Sequence, residues 1–389
     1  MAVFHLPGET LVNSQAKKMT KLSSLASQLK NIQQADHSIG GISTTQHRYI
    51  ASFLFDEREA TDIDNAAILT IAKNGLEELK AVEPAFSKFE IVLFGENTLE
   101  IHRATMTKQQ NDSLNGTLRT FLRLLSPYFM MKAAHKCLEW LIRKYRINEL
   151  NIEDVMDCIL PYHETVQFVR MVQIIFFKDG SKWGFLHEVK KEARFISRSF
   201  LAKRALADRS ILDGVFECVE WMVLKHRDAE YKKPSTYLSF YTMLVLDYIH
   251  ALPKIELTHV LHLYPMALRL VKIKRVPDCA ISSFMIILAL AQRYPVLSQE
   301  SITDYIDFAS RACPDNLVPQ LVITIARLVD ICYLTVPSIS PRAFNVFSRL
   351  PGFATISHEI IKKYHLPHYE TILATSFAAN ESNNSIETN

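Results

Sequence analysis

One helical phrase occurs twice in this chain. Residues 136–146 read KCLEWLIRKYR and residues 217–227 read ECVEWMVLKHR, an offset of 81 residues. In the first copy Ala134, Leu138, Leu141 and Tyr145 are spaced four, three and four apart, which is one stripe of a 3.6-residue helix. The same stripe 81 residues later is Val215, Val219, Met222 and His226. On the opposite face Glu139 and Arg143 are spaced as a surface ion pair worth about a few tenths of a kcal/mol. The offset equals about two periods of forty residues, the length of a HEAT or armadillo helical hairpin. Such a hairpin cannot bury its apolar face alone, so successive hairpins stack and reuse similar residues at similar places. The expected fold is therefore all-α, a HEAT/armadillo-like α-solenoid of stacked antiparallel helix pairs. Trp140 and Trp221 are expected to be buried at equivalent places, although no third copy is legible at 299–309 (ESITDYIDFAS).

Composition agrees with a long helical array. The chain has 389 residues, too many for one compact core, and 48% of them are hydrophobic, which excludes wholesale disorder. Only ten glycines are present, too few for a turn-rich barrel or sandwich. Helix starts are read at Ser126-Pro127, at Ser87 to Glu90 as a capping box, at Asn151 with Asp154, at Asp315 and at Ser340-Pro341. The stretch KDGSKWG at 178–184 reads as a surface loop that could close two short strands. The expected organisation is an irregular extension over 1–18, a helical-repeat region over 19–175, its continuation over 176–378, and a disordered polar tail over 379–389.

Catalytic and metal motifs are missing. No phosphate-binding GxxxxGK[ST] loop, dinucleotide GxGxxG or nucleophile-elbow GxSxG occurs. His358 to His365 begins like the zinc motif HExxH, but position 362 is Lys and the two histidines fall on different helix faces. The six cysteines include no CxxC pair and sit in apolar helical contexts, so buried reduced thiols are expected. The longest apolar run, at 279–291, is too short to span a bilayer, and the first residues do not read as a signal peptide. No cofactor, membrane or small-molecule substrate is expected, and the reading is of a soluble intracellular protein.

Charge is unevenly distributed although the net charge is only +3. Between Asp56 and Glu100 eleven acidic residues face four basic ones. Between Lys190 and Arg209 the balance reverses: Lys190, Lys191, Arg194, Arg198, Lys203, Arg204 and Arg209 face only Glu192 and Asp208. With Phe195 and Phe200 interleaved, this stretch is a candidate to track phosphates and stack on bases. The alternative is a solvated helix face whose phenylalanines point into the core. Arg269, Lys272, Lys274 and Arg275 form a second basic cluster.

The segment SFLFDEREATDIDNAAILTIAKNGLEELKAVEPAFSKFE (52–90), the run from LLSPYF to LPYHET (124–165) and FVRMVQII (168–175) resemble the N-terminal region of the HEAT repeat-containing protein 1 and U3 small nucleolar RNA-associated protein 10 family. MTKLSSLASQL at 19–29 is similar to the usual beginning of that family, which suggests that 1–18 is an extension or an upstream start. The resemblance thins to scattered phrases after residue 175. It implies a noncatalytic nucleolar scaffold of the small-subunit processome, acting in pre-rRNA transcription by RNA polymerase I and in processing toward 18S rRNA. Partners would be processome proteins of the early pre-rRNA-binding subcomplex, with pre-rRNA or U3 snoRNA as candidate RNA contacts. Family members are several times longer, so a fragment, a short isoform or a truncated product is expected. The other reading is a generic HEAT-repeat adaptor for transport or signalling.

Overall fold

The computed structural model describes the backbone of residues 50–225 and 235–387. The expectations for 1–18, for the family-like start at 19–29 and for His226 lie outside the described residues. Among the described residues 77% are helical and none is in a strand.

The helices are α1 (Glu57–Asp62), α2 (Asn65–Val82), α3 (Glu90–Phe94), α4 (Lys108–Leu125), α5 (Lys132–Tyr145), α6 (Ile147–Leu150), α7 (Ile152–Ile159), α8 (Val166–Ile174) and α9 (Leu186–Glu192). They continue as α10 (Arg198–Ala207), α11 (Ser210–Lys225), α12 (Ser235–Ala251), α13 (Leu257–Val271), α14 (Pro277–Arg293) and α15 (Gln299–Ala312). The last are α16 (Val318–Ile331), α17 (Pro341–Phe347), α18 (Phe353–Tyr364) and α19 (Pro367–Glu387).

From α10 onward each helix packs on the next but one. Helices α10, α12, α14, α16 and α18 form one layer, and α13, α15, α17 and α19 form the other. Members of the first layer begin at Arg198, Ser235, Pro277, Val318 and Phe353, steps of about forty residues, as a HEAT or armadillo hairpin requires. Side chains tie neighbouring hairpins across these steps. Arg293, at the end of α14, donates to the carbonyls of Ile249 and Leu252 at the end of α12, satisfying acceptors that a helix end leaves open. Asp330, near the end of α16, accepts the His368 and Tyr369 N–H groups at the start of α19.

The apolar stripe of the echo is buried in both copies: Ala134, Leu138, Leu141 and Tyr145 in α5, and Val215, Val219 and Met222 in α11. Equivalence of the two tryptophans does not hold. Helix α5 packs chiefly on α2, whereas α11 packs most on α12 and also on α10, α4 and α7. Trp140 is buried and donates from Nε1 to the Leu93 carbonyl at 2.8 Å. Trp221 is half-buried, with the Arg123 guanidinium 5.8 Å from its ring centre. The likeness is one of local helical pattern, and each copy faces different neighbours.

The Glu139–Arg143 pair is not on the surface. Both side chains are nearly inaccessible, at 0% and 4% exposure. The reason is residues 51–63, which cross the α5 face that periodicity alone leaves to solvent. Glu139 accepts the Ser52 hydroxyl and the Phe53 and Leu54 N–H groups. Arg143 donates to the Ala60 carbonyl.

Helix starts were partly legible. Ser340 caps α17 by accepting the Ala343 N–H, with Pro341 following. Asn151 precedes α7 but does not cap it: its amide donates to Asp154 and Asn115 and its oxygen accepts from Arg103. Asp315 opens only a 3-10 turn, Asp315–Leu317. Ser126 ends α4, and its hydroxyl donates to the Cys158 carbonyl on the neighbouring α7. Ser87 lies inside the 3-10 helix Pro84–Phe89 and bonds back to Pro84, so it is no capping box. For Asn151, Ser126 and Ser87 a tertiary or local partner outcompetes the helix N–H groups for the side chain.

The 178–184 segment is a turn without strands. The segment expected as a disordered tail over 379–389 is entered by α19, which runs to Glu387. Buried Tyr369, Ile372, Leu373 and Ser376 anchor that helix, and propagation past them adds a hydrogen bond per residue without a new nucleus. All six cysteines are free; five are buried and Cys313 is half-buried. No described helix is long and apolar enough to cross a membrane.

Candidate nucleic-acid interface

The basic stretch forms two short helices, α9 and α10, joined by a turn whose geometry is strongly constrained. Helix α9 ends at Ala193, which takes the left-handed conformation at φ 50° and donates its N–H to the Val189 carbonyl. Three residues later Ile196 is pinned to His163. Its N–H donates to the His163 carbonyl at 3.4 Å, and its own carbonyl lies 2.6 Å from His163 Nδ1. A carbonyl only accepts, so Nδ1 carries the proton. Ser197 then caps α10 by accepting the Phe200 N–H. Arg194 and Phe195 are thereby left outside, between a buried anchor and a helix end, and Phe195 is 56% exposed.

The seven candidate cations divide by partner. Lys190 is half-buried and donates to the Ile175 carbonyl at 2.8 Å, and burial lowers its pKa. Arg194 pairs with Glu192. Arg198 pairs with Asp247 on α12 at 2.6 Å. Arg204 lies over two rings, 5.1 Å from the Phe185 centre and 5.3 Å from that of Phe200. Arg209 lies near Tyr248, where its charge opposes the rise that burial gives the Tyr248 pKa. Lys191 and Lys203 are exposed and form no ion pair among the described residues. In the second cluster Arg269 pairs with Glu220 and covers Phe216, and Lys272 covers Phe308.

Phe200 is half-buried against the core, whereas Phe195 is not. Beside them lies a hollow of about 230 Å³ lined by Phe185, Phe195, Phe200, Glu188, Glu192 and Ile196, among others. A neighbouring hollow of about 430 Å³ shares Phe185 and Glu188 and adds Arg204. Sequence reading missed Phe185 and Glu188. The i, i+4 spacing of Glu188 and Glu192, one carboxylate face on a helix otherwise counted as basic, would have found the acidic side of this hollow. Aromatic walls, carboxylate acceptors and a cationic rim together suit a flat polar ligand carrying negative charge nearby.

No family-level sequence profile matches the chain. It is 31% identical over 285 residues to HEAT repeat-containing protein 1 of Danio rerio, covering 72% of this chain and 13% of that protein. It is 27% identical over 368 residues to HEAT repeat-containing protein 1 of Homo sapiens, covering 90% and 16%. It is also 27% identical over 273 residues to U3 small nucleolar RNA-associated protein 10 of Yarrowia lipolytica, covering 69% and 16%. The chain thus spans only 13% to 16% of the length of these relatives. Similarity over most of its length to proteins of both names, on an α-solenoid of about forty-residue hairpins, means that this chain belongs to the HEAT repeat-containing protein 1 and U3 small nucleolar RNA-associated protein 10 family.

Proposed function

We propose that this chain is a noncatalytic solenoid segment working in ribosome biogenesis. In this reading it acts in the nucleolus as part of the small-subunit processome, in pre-rRNA transcription and processing toward 18S rRNA. The observation that carries it is the similarity to relatives of which one is named for its association with U3 small nucleolar RNA. Processome proteins of the early pre-rRNA-binding subcomplex are the proposed partners along the helical surfaces. Pre-rRNA or U3 snoRNA is the proposed ligand of the surface around Lys190, Lys191, Arg194, Arg198, Lys203, Arg204 and Arg209. The exposed Lys191 and Lys203 would carry its phosphate contacts, since the other five cations already have protein partners.

Residues 19–175 and 176–378 are proposed to act as one continuous array. Packing of α11 on α4 and α7 supports this, because that contact bridges the two regions. The test is pull-down of the tagged chain from nuclear extract, with sequencing of bound RNA and identification of bound proteins. U3 snoRNA, pre-rRNA and processome proteins are expected; transport factors or a signalling enzyme in their place would instead indicate a generic adaptor.

A further inference from the structure

We propose that the hollow between α9 and α10 takes one unpaired nucleobase of single-stranded RNA, and that among the four bases it selects guanine. The proposal rests on the RNA-contact reading above and adds a base site to its phosphate contacts.

Three observations carry it. The first is a stacking surface: Phe195 is 56% exposed beside the hollow, and Phe185 and Phe200 meet edge to face at 5.8 Å behind it. Base stacking on such side chains is how single strands are held without regard to sequence. The second is preorganisation. The turn carrying Phe195 is held by left-handed Ala193 on one side and by the Ile196–His163 bonds on the other, so little ordering is left for the ligand to impose. The third is the acceptor. Glu188 lines the hollow, is exposed, and forms no ion pair among the described residues, whereas Glu192 is occupied by Arg194.

A free carboxylate presents two oxygens and no donor. Guanine alone offers two adjacent donors on its Watson–Crick edge, the N1 imino and N2 amino groups, which match those oxygens. Adenine and cytosine each set one amino donor beside a ring acceptor, and uracil sets one imino donor between two carbonyls. Unstacked bases are read on this edge in RNA recognition. An arginine side chain of a protein would also offer two parallel donors and stack on phenylalanine. Glu188 and Glu192 line the hollow itself, but the stretch from Leu186 to Arg209 carries seven cations against Glu188, Glu192 and Asp208, so the wider surface attracts a phosphodiester more than a cationic peptide.

The test is fluorescence anisotropy of the full chain with labelled oligouridylate octamers carrying a single central G, A, C or U. The G-containing octamer should bind about tenfold tighter than the others. Phe195→Ala should weaken all four octamers, most of all the G-containing one, by roughly 5- to 100-fold for removal of one stacking ring. Glu188→Gln should abolish the guanine preference, so that the G-containing octamer falls to the affinity of the other three, which the loss of one negative charge should not weaken. Lys191→Gln with Lys203→Gln should weaken all four equally. Salt-dependent binding without base preference and indifferent to Phe195→Ala would overturn the base site and leave the phosphate reading standing. Absence of RNA binding would overturn both. Phe195- and Glu188-dependent capture of an arginine-rich peptide, without RNA binding, would assign the hollow to a protein partner. Circular dichroism of each variant should match the parent, since Phe195 and Glu188 are both exposed.

Discussion

Arg143 Nε lies 2.8 Å from Glu139 Oε1 one helical turn away, and neither side chain reaches solvent. Around them converge the Ser52 hydroxyl, the Phe53 and Leu54 N–H groups and the Ala60 carbonyl. This ion pair fastens an extended segment and a short helix onto α5. Breaking a buried pair by removing one partner leaves an uncompensated charge, so Glu139→Ala should cost about 3–5 kcal/mol. Arg143→Ala should cost a similar amount, and the double variant well short of the sum. Urea unfolding of the four proteins measures this. Additive losses below about 0.5 kcal/mol each would return the pair to the surface.

The two echoed tryptophans should respond unequally. Trp140→Ala removes a fully buried ring and the donor to the Leu93 carbonyl, and should cost about 3–5 kcal/mol. Trp221→Ala removes a half-buried ring and should cost about 1–2 kcal/mol. Iodide should quench Trp221 while sparing Trp140 and Trp183, both of which are buried. Equal losses, or equal quenching of all three, would count against the different packing of α5 and α11.

Stability should carry a pH dependence from Asp157. Burial pushes its carboxyl up to about 6 from 3.8, against the opposing pull of Arg123, whose Nη2 is 3.1 Å away. The folded chain therefore holds this proton more tightly than the unfolded chain. The associated stability is fully present below about pH 4 and is lost as pH rises through 6. Its full extent is about 3 kcal/mol. Relative to Asp157→Asn, the parent should gain stability on acidification from pH 7 to pH 4.5. A difference independent of pH in that window would show that Asp157 titrates normally.

Lys191→Gln with Lys203→Gln should lower RNA affinity for every sequence alike, because phosphate contacts carry little base information. The slope of log affinity against log salt should become shallower by roughly 0.7 for each phosphate no longer neutralised. Lys190→Gln behaves differently: it removes the donor to the Ile175 carbonyl, so it should lower stability as well. Thermal melts recorded beside the binding curves separate the two effects.

Much of this molecule is determined by the sequence alone. Apolar residues at helical spacing dictate amphipathic helices, and scarce glycine with short connections dictates that they stack. The stripe Ala134, Leu138, Leu141 and Tyr145 is buried as its spacing requires, and forty-residue steps follow from hairpins that must cover one another. The cationic stretch is likewise written in the residues from Lys190 to Arg209. Tertiary structure alone decided which of those charges remain free and what covers the polar face of each helix. Glu139 and Arg143 read as surface residues because helical period distinguishes faces without identifying the neighbour that meets them; residues 51–63 meet that face and bury the pair. Lys190, Arg194 and Arg198 read as free cations because the Ile175 carbonyl, Glu192 and Asp247 become their partners only when the chain is folded. The hollow beside Phe195 depends on a turn anchored to His163, more than thirty residues earlier in the chain. Local pattern sets each helix, whereas charge pairing and cavities arise between segments distant in sequence, where only the packed chain brings the partners together.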